Sequence, residues 1–202
     1  MKINVNAHSS IQIDKIYFDP YLITQETHNA KYIFITHSHY DHLSTDDIDK
    51  VINNKSIIIA TEDCKNTLEK KYNNKIIYVK PYDNISLSNV EVEVLPAYNL
   101  QKQYHKKDSN WVGYKIIYNE TIFAILGDTD QTPELQTLTC DHLFVPIGGT
   151  YTMTALEAST LANLIKPKIV TPIHYNSIVG NKMDEEVFLK NLDKTIKTEI
   201  LL

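Results

Sequence analysis

The chain has 202 residues, 43% of them hydrophobic and 22% charged, with 20 basic against 25 acidic side chains and a formal net charge of −5. At about 150 residues per domain this length suits one unit, residues 1–202, with a substantial core, and five Gly with seven Pro exclude collagen-like and low-complexity chains. Every basic residue is Lys, so guanidinium clamps are absent, and with the acidic balance this argues against a nucleic-acid partner.

Ile3 to Asn6, Ile11 to Phe18 and Tyr32 to Thr36 read as strands, the last an apolar run that stops at His37. Asp46 to Asn54 reads as a short helix capped by Ser44 or Thr45, Ser56 to Thr61 as a buried strand, and Glu62 to Lys71 as a second helix. Short strands follow at Ile76 to Val79, Asn84 to Leu87, Val90 to Ala97, Val112 to Tyr118 and Thr121 to Leu126. The alternation Val90-Glu91-Val92-Glu93-Val94 implies one wet face, and the block reads as an antiparallel meander.

The rhythm then changes to strand His142 to Pro146, helix Thr154 to Ile165, strand Lys168 to Ile173, helix Asp184 to Asp193 and a last strand near Thr195 to Leu201. Thr154 and Glu157 have capping-box spacing, and Lys166-Pro167 stops that helix. Two strand-rich halves, each carrying helices, predict an α+β fold of four layers, an αββα sandwich. No apolar run approaches the roughly 20 residues of a membrane helix, and no secretory h-region opens the chain, so the expectation is a cytoplasmic protein with no membrane partner. Cys64 and Cys140 are too few for a disulfide framework and are expected to be reduced.

Chemistry concentrates in Thr36-His37-Ser38-His39-Tyr40-Asp41-His42, three imidazoles and a carboxylate directly after a buried strand. The spacing lets His37 and His39 turn to one metal ion and Asp41 and His42 to a second. Asp128, in Gly127-Asp128-Thr129-Asp130 at the end of another buried strand, supplies a bridging carboxylate, and His174, ending Ile169-Val170-Thr171-Pro172-Ile173, a further ligand. Each of these last two alone reads more plainly as an Asx turn or a core histidine; three strands ending in metal-competent side chains favour a site. Pro172 is expected near a strand end or sheet edge.

The pattern resembles the metallo-β-lactamase superfamily of metallohydrolases, through His37-Ser38-His39-Tyr40-Asp41-His42, Gly127-Asp128-Thr129-Asp130 and Pro172-Ile173-His174 in that order. Ala7-His8-Ser9-Ser10, Phe18-Asp19-Pro20 and Pro146-Ile147-Gly148-Gly149-Thr150-Tyr151-Thr152-Met153 look more like its L-ascorbate-6-phosphate lactonase-like branch. The resemblance implies two mixed sheets, His37 and His39 on the first metal, Asp41, His42 and His174 on the second, and Asp128 between them. A third histidine for the first metal usually follows the strand ending Leu95-Pro96-Ala97-Tyr98; here Asn99 stands there, and His105 is the candidate to replace it or to contact substrate.

His8 is expected to be structural or to line the pocket, Asp19 to orient a ligand histidine, and His28 and His142 to lie on the surface or in the core. The backbone amides of Gly148-Gly149-Thr150, and Lys102, Lys106 and Lys107 on a long Asn99 to Asn110 loop of lid-like length, are candidates to receive an anionic group.

The expected activity is hydrolysis of a small, anionic ester, lactone or phosphoester by an activated water. Asp41 orients or deprotonates that water, and Tyr151 or His105 protonates the leaving group. The cofactors expected are two divalent ions, zinc first, with manganese or iron as alternatives because no thiolate is among the ligands. A phosphodiesterase or nuclease of the same superfamily, or a metal-binding module without turnover, are the rival readings. Homo-oligomerisation is left open.

Overall fold

Short β-branched runs build two sheets, one in each of the two units into which the computed structural model of residues 1–202 divides: residues 1–80 with Leu202, and residues 81–201.

The first unit holds a six-stranded sheet in sequential order, β1 (Ile3–Ala7), β2 (Ser10–Ile13), β3 (Ile16–Phe18), β4 (Tyr32–Phe34), β5 (Ile57–Thr61) and β6 (Lys75–Val79). The first three strands pair antiparallel and the rest parallel. The single strand expected over Ile11 to Phe18 is two, because Asp14 adopts φ 51° and its carboxylate accepts from Lys2 N at 2.7 Å, closing a tight turn. Residues 75–79 belong to this sheet and not to the meander: helix α2 (Lys65–Lys71) carries the chain back so that the strand runs parallel to β5.

Helix α1 (Thr45–Val51) starts at Ser44, whose hydroxyl accepts from Asp47 N, and buries Ile48 and Val51 against Ile33, Ile35, Ile58, Ala60 and Leu68. Asp47 accepts from Leu22 N and Ile23 N, both at 2.9 Å, from Ser44 Oγ and from Lys50 Nζ. Its burial alone would raise its pKa, but Lys50 and these hydrogen bonds hold it below the ordinary carboxyl value. One carboxylate thereby holds the Ser44 cap and pins the segment after β3. Burial pushes the Cys64 and Cys140 thiols up to about 12, so neither is a reactive thiolate.

The second unit holds seven strands in the order β13-β12-β11-β10-β9-β8-β7. Strands β7 (Asn84–Leu87), β8 (Val90–Pro96), β9 (Val112–Tyr118) and β10 (Thr121–Ile125) form the antiparallel meander; β11 (His142–Pro146), β12 (Ile169–Ile173) and the two-residue β13 (Lys197–Thr198) add parallel. Pro172 lies beyond the last β13 pair, Val170 with Thr198, so no strand on that side needs its missing N–H.

Helix α3 (Ala155–Ile165) carries the capping box, with Thr154 N donating to Glu157 Oε2 at 2.8 Å and Glu157 N to Thr154 Oγ1 at 3.3 Å. Helix α4 (Lys182–Asn191) starts two residues before the expected Asp184, because Asn181 and Asp184 make a second capping box. The last strand is shorter than expected, since Asp193 Oδ1 ties Thr195 N and Oγ1 into a turn. No helix is long and apolar enough to cross a membrane.

His142 is a core residue: its ring stacks on Phe144 at 4.4 Å and its Nε2 meets Thr171 Oγ1 at 2.8 Å. Burial lowers its pKa from 6.5 to about 4, so between those values the unfolded chain takes up a proton that the folded chain refuses. Stability from this group is present above pH 6.5 and declines as pH falls, by about 2 kcal/mol at pH 5. Urea unfolding of the metal-stripped protein should therefore lose more stability between pH 7 and pH 5 than that of His142→Gln; equal losses would refute the assignment.

Candidate metal centre

Each unit carries its own set of metal-competent side chains at strand ends. In the first unit the chain leaves β4 through Ile35 and Thr36 and turns sharply at the histidine motif, with His42 N and Leu43 N both donating to His39 O. The turn brings His37 Nε2 to 3.0 Å from His39 Nδ1, and His42 Nε2 to 3.5 Å from Asp41 Oδ2. His8, at the tip of the β1–β2 hairpin with φ 52°, is fully buried and places Nε2 3.2 Å from the same Asp41 Oδ2. The sequence reading kept His8 outside the ligand set; the only signal was its place directly after a strand.

Behind the motif, buried Asp19 organises two of the rings. Asp19 Oδ2 accepts from His42 Nδ1 at 2.7 Å and from Thr36 Oγ1 at 2.7 Å, while Oδ1 accepts from Thr36 N at 2.8 Å. With its proton committed to Asp19, the Thr36 hydroxyl accepts from His37 Nδ1 at 2.9 Å. Burial lifts the Asp19 pKa above the ordinary carboxyl value, and the His42 ring and Thr36 donors pull it back.

This proton order turns the Nε2 atoms of His37 and His42 toward His39 Nδ1 and Asp41 Oδ2. Nitrogen and oxygen atoms brought this close call for a shared proton or a cation between them. Protonating both rings is disfavoured, since the His37 and His42 centroids lie 4.1 Å apart. A divalent cation meets the requirement, and a tetrahedral zinc with Zn–N of about 2.0–2.1 Å sets neighbouring ligand atoms about 3.3 Å apart. The donor set, imidazole and carboxylate without thiolate, fits such an ion.

In the second unit, β10 runs out at Ile125 and Gly127 turns with φ 65° before buried Asp128; β12 ends at Ile173, and His174 follows it at φ 56°. Asp128 Oδ2 lies 2.9 Å from His174 Nε2 and 3.3 Å from His105 Nε2. Gly148 makes the His174 position available: a Cβ there would stand 2.2 Å from His174 O. His105 is buried, and its Nδ1 lies 3.2 Å from Asn99 Oδ1 and 3.1 Å from Tyr151 O. Both are acceptors, so the proton is on Nδ1 and Nε2 faces Asp128 Oδ2. Asn99, standing where a ligand histidine was expected, is thus the bracket that aims His105. Its Oδ1 also accepts from His105 N and its Nδ2 donates to Asp130 Oδ1 and Tyr151 O.

Several expectations change. The Asn99 to Asn110 loop is tied down: Asp130 accepts from Leu100 N at 2.9 Å and Lys102 Nζ at 2.6 Å, and Lys107 Nζ bonds Glu134 at 3.0 Å and the Tyr98 hydroxyl at 3.1 Å. Lys102 and Lys107 therefore spend their charge inside the molecule, Lys102 also donating to Thr152 O. Gly149 N and Thr150 N are likewise used, by Met153 O and Gly148 O. Tyr151 contributes its carbonyl to the His105 bracket, and its ring packs edge-on to Tyr104 at 4.7 Å. His28 is on the surface, with Nδ1 3.2 Å from Ile52 O.

Comparison with known proteins agrees with this chemistry. Residues 3–174 match the family model of the beta-lactamase superfamily domain. A UPF0173 metal-dependent hydrolase of Pyrococcus furiosus is 27% identical over all of this chain and 96% of its own, and one of Nanoarchaeum equitans is 30% identical over 96% of this chain and 93% of its own. The crystal structure of a protein described as a metal-dependent hydrolase from Parabacteroides distasonis superposes with a TM-score of 0.83 at 30% identity, covering 98% of this chain and 91% of that one. Two mixed sheets with few helices, this likeness and the matched family model together show that the chain belongs to the metallo-β-lactamase superfamily and is one of its metal-dependent hydrolases.

Proposed function

We propose that His37, His39, Asp41, His42, Asp128 and His174 hold two divalent cations, zinc or alternatively manganese or iron, and that the protein hydrolyses a small ester, lactone or phosphoester. His105 joins His37 and His39 in this reading, in place of the histidine for which Asn99 stands. The observation that carries it is the proton order: Asp19 and Thr36 in one unit, and Asn99 with the Tyr151 carbonyl in the other, hold protons on Nδ1 of His37, His42 and His105 and keep each Nε2 a ligand. Family membership supports it; the lactonase-like motifs Ala7-His8-Ser9-Ser10 and Gly148-Gly149-Thr150-Tyr151 favour an ester or lactone within the class.

When bound, the two cations would lower the pKa of a shared water from about 15.7 toward 7 and polarise the scissile carbonyl or phosphoryl oxygen. Asp41 turns Oδ2 toward His8 and His42, so Oδ1 is the atom that orients the attacking water and takes its proton. Tyr151, whose carbonyl accepts from His105 Nδ1, is the residue assigned to protonate the leaving group.

Elemental analysis of protein purified without added metal should find up to two divalent ions per chain. Stripping them should abolish hydrolysis of ester and lactone panels, and zinc or manganese should restore it. Turnover that survives verified metal removal would overturn the reading; full loading with no turnover of any ester, lactone or phosphoester would mark a binding module.

A further inference from the structure

A polar residue at the tip of a hairpin ordinarily faces water, but His8 is fully buried. Ala7 pairs with Ser10, so β1 and β2 are joined by His8 and Ser9 alone, and His8 opens that connection at φ 52°. Glycine, asparagine or aspartate usually takes a positive-φ position in so tight a turn, and a bulkier side chain held there is strained. The pairing register also slips between Val5 and Ala7, an irregularity of the kind that re-aims side chains beside active sites. The returning strand is anchored where it leaves the tip, because buried Ser10 Oγ accepts from Tyr21 N at 3.0 Å. Hairpin and anchor together hold an imidazole where the backbone by itself would favour glycine.

What that imidazole reaches is the Asp41 carboxylate. His8 Nε2 lies 3.2 Å from Asp41 Oδ2, the same oxygen that stands 3.5 Å from His42 Nε2. The ligand atoms of His8, Asp41 and His42 all lie within 4.8 Å of one another, and the two rings stand edge-on with centroids 6.1 Å apart. Neighbouring ligands of one tetrahedral ion are about 3.3 Å apart. His142 is the contrast within the protein: it stacks on Phe144 and meets the Thr171 hydroxyl, as a histidine buried for packing does. Asp41 and His42 give a cation in the first unit two ligands. His8 completes two imidazoles and a carboxylate, a set used by open catalytic zinc sites, which keep one position for water.

We propose that His8 is a metal ligand, joining Asp41 and His42 on one divalent cation through Nε2. The inference rests on the reading that these residues hold metal and deepens it by a residue; it does not require turnover of any substrate.

The test compares the full chain with its His8→Gln and His8→Gly variants. Glutamine keeps a hydrogen-bond donor for Asp41 and is a poor ligand, whereas glycine suits the positive φ and removes the side chain. Circular dichroism follows the fold of each metal-free protein. In zinc competition titrations both variants should lose more than about a hundredfold in affinity at one site, beyond the 10–100-fold that loss of an outer-shell partner costs. A measurement on the unaltered chain is independent of either variant: with NMR-active cadmium bound and the histidines isotopically labelled, His8 Nε2 should show through-bond coupling to the metal. Coupling at His42 Nε2 with none at His8 Nε2, or parental zinc affinity in His8→Gln, would make His8 a hydrogen-bonding partner of Asp41; that overturns the inference and leaves the metal reading standing. A parent chain that binds no divalent ion would remove that reading and the inference with it. Metal coupled to His8 in a protein that turns over no ester, lactone or phosphoester would keep the inference and remove the proposed reaction.

Discussion

Exchanging Asp19 for alanine is expected to weaken metal binding about a hundredfold, and turnover with it, although Asp19 touches no metal-facing atom. Removing a group that orients a ligand histidine ordinarily costs 10–100-fold. Asp19 governs two such rings, His42 directly and His37 through the Thr36 hydroxyl, so the upper end of that range is expected. Without the carboxylate, the Thr36 hydroxyl is released to donate to His37 Nδ1, which would place the ring proton on Nε2 and remove a lone pair. Because Asp19 also accepts from Thr36 N, the variant risks a local change of backbone. Thr36→Val separates the effects: it keeps the shape and the Asp19–His42 bond, removes only the relay, and should weaken metal binding about tenfold. Zinc competition titrations and elemental analysis, with circular dichroism to follow the fold, read both variants. Wild-type affinity in a folded Asp19→Ala protein would dismiss the orienting role.

The second large effect is expected at Gly148, which is remote from the ligand atoms in sequence and has no side chain to contribute. Its backbone is not among those at positive φ, so alanine there is tolerated conformationally and the substitution tests contact alone. A Cβ would stand 2.2 Å from His174 O and 2.9 Å from Val179 Cγ2, and the first neighbour is backbone that has to move. Gly148→Ala should cost about 1–3 kcal/mol in stability by overpacking and shift His174, lowering metal affinity at least tenfold. Gly149 is the natural control. It sits at φ 78°, so Gly149→Ala is strained, by about 1–2 kcal/mol, yet its Cβ would meet nothing closer than 3.7 Å. Stability falls in both variants, and metal affinity should fall only in the first. Equal affinities in the two would show that the close approach does not position His174.

Much of this protein is legible in one dimension. The apolar runs that became β4, β10 and β12, and the capping box of α3, are local patterns governed by neighbours a few residues away, and their termini are where the histidine motif, Asp128 and His174 fall. Elements set by distant pairing were harder to read. Residues 75–79 look like any short apolar strand, and only their parallel pairing with β5 assigns them to the first sheet.

Side-chain roles divide the same way. Residue type and spacing within the motif were enough to expect metal-competent imidazoles and a carboxylate, because ligand chemistry belongs to the residue. Which ring nitrogen carries the proton, that Asn99 brackets His105, that His8 is buried beside Asp41, and that Lys102 and Lys107 are consumed by Asp130 and Glu134 were decided by tertiary structure. The reason is physical: a hydrogen bond or ion pair depends on distances of about 3 Å between atoms that stand tens of residues apart, and burial, which determines what those contacts are worth, exists only once the chain has folded.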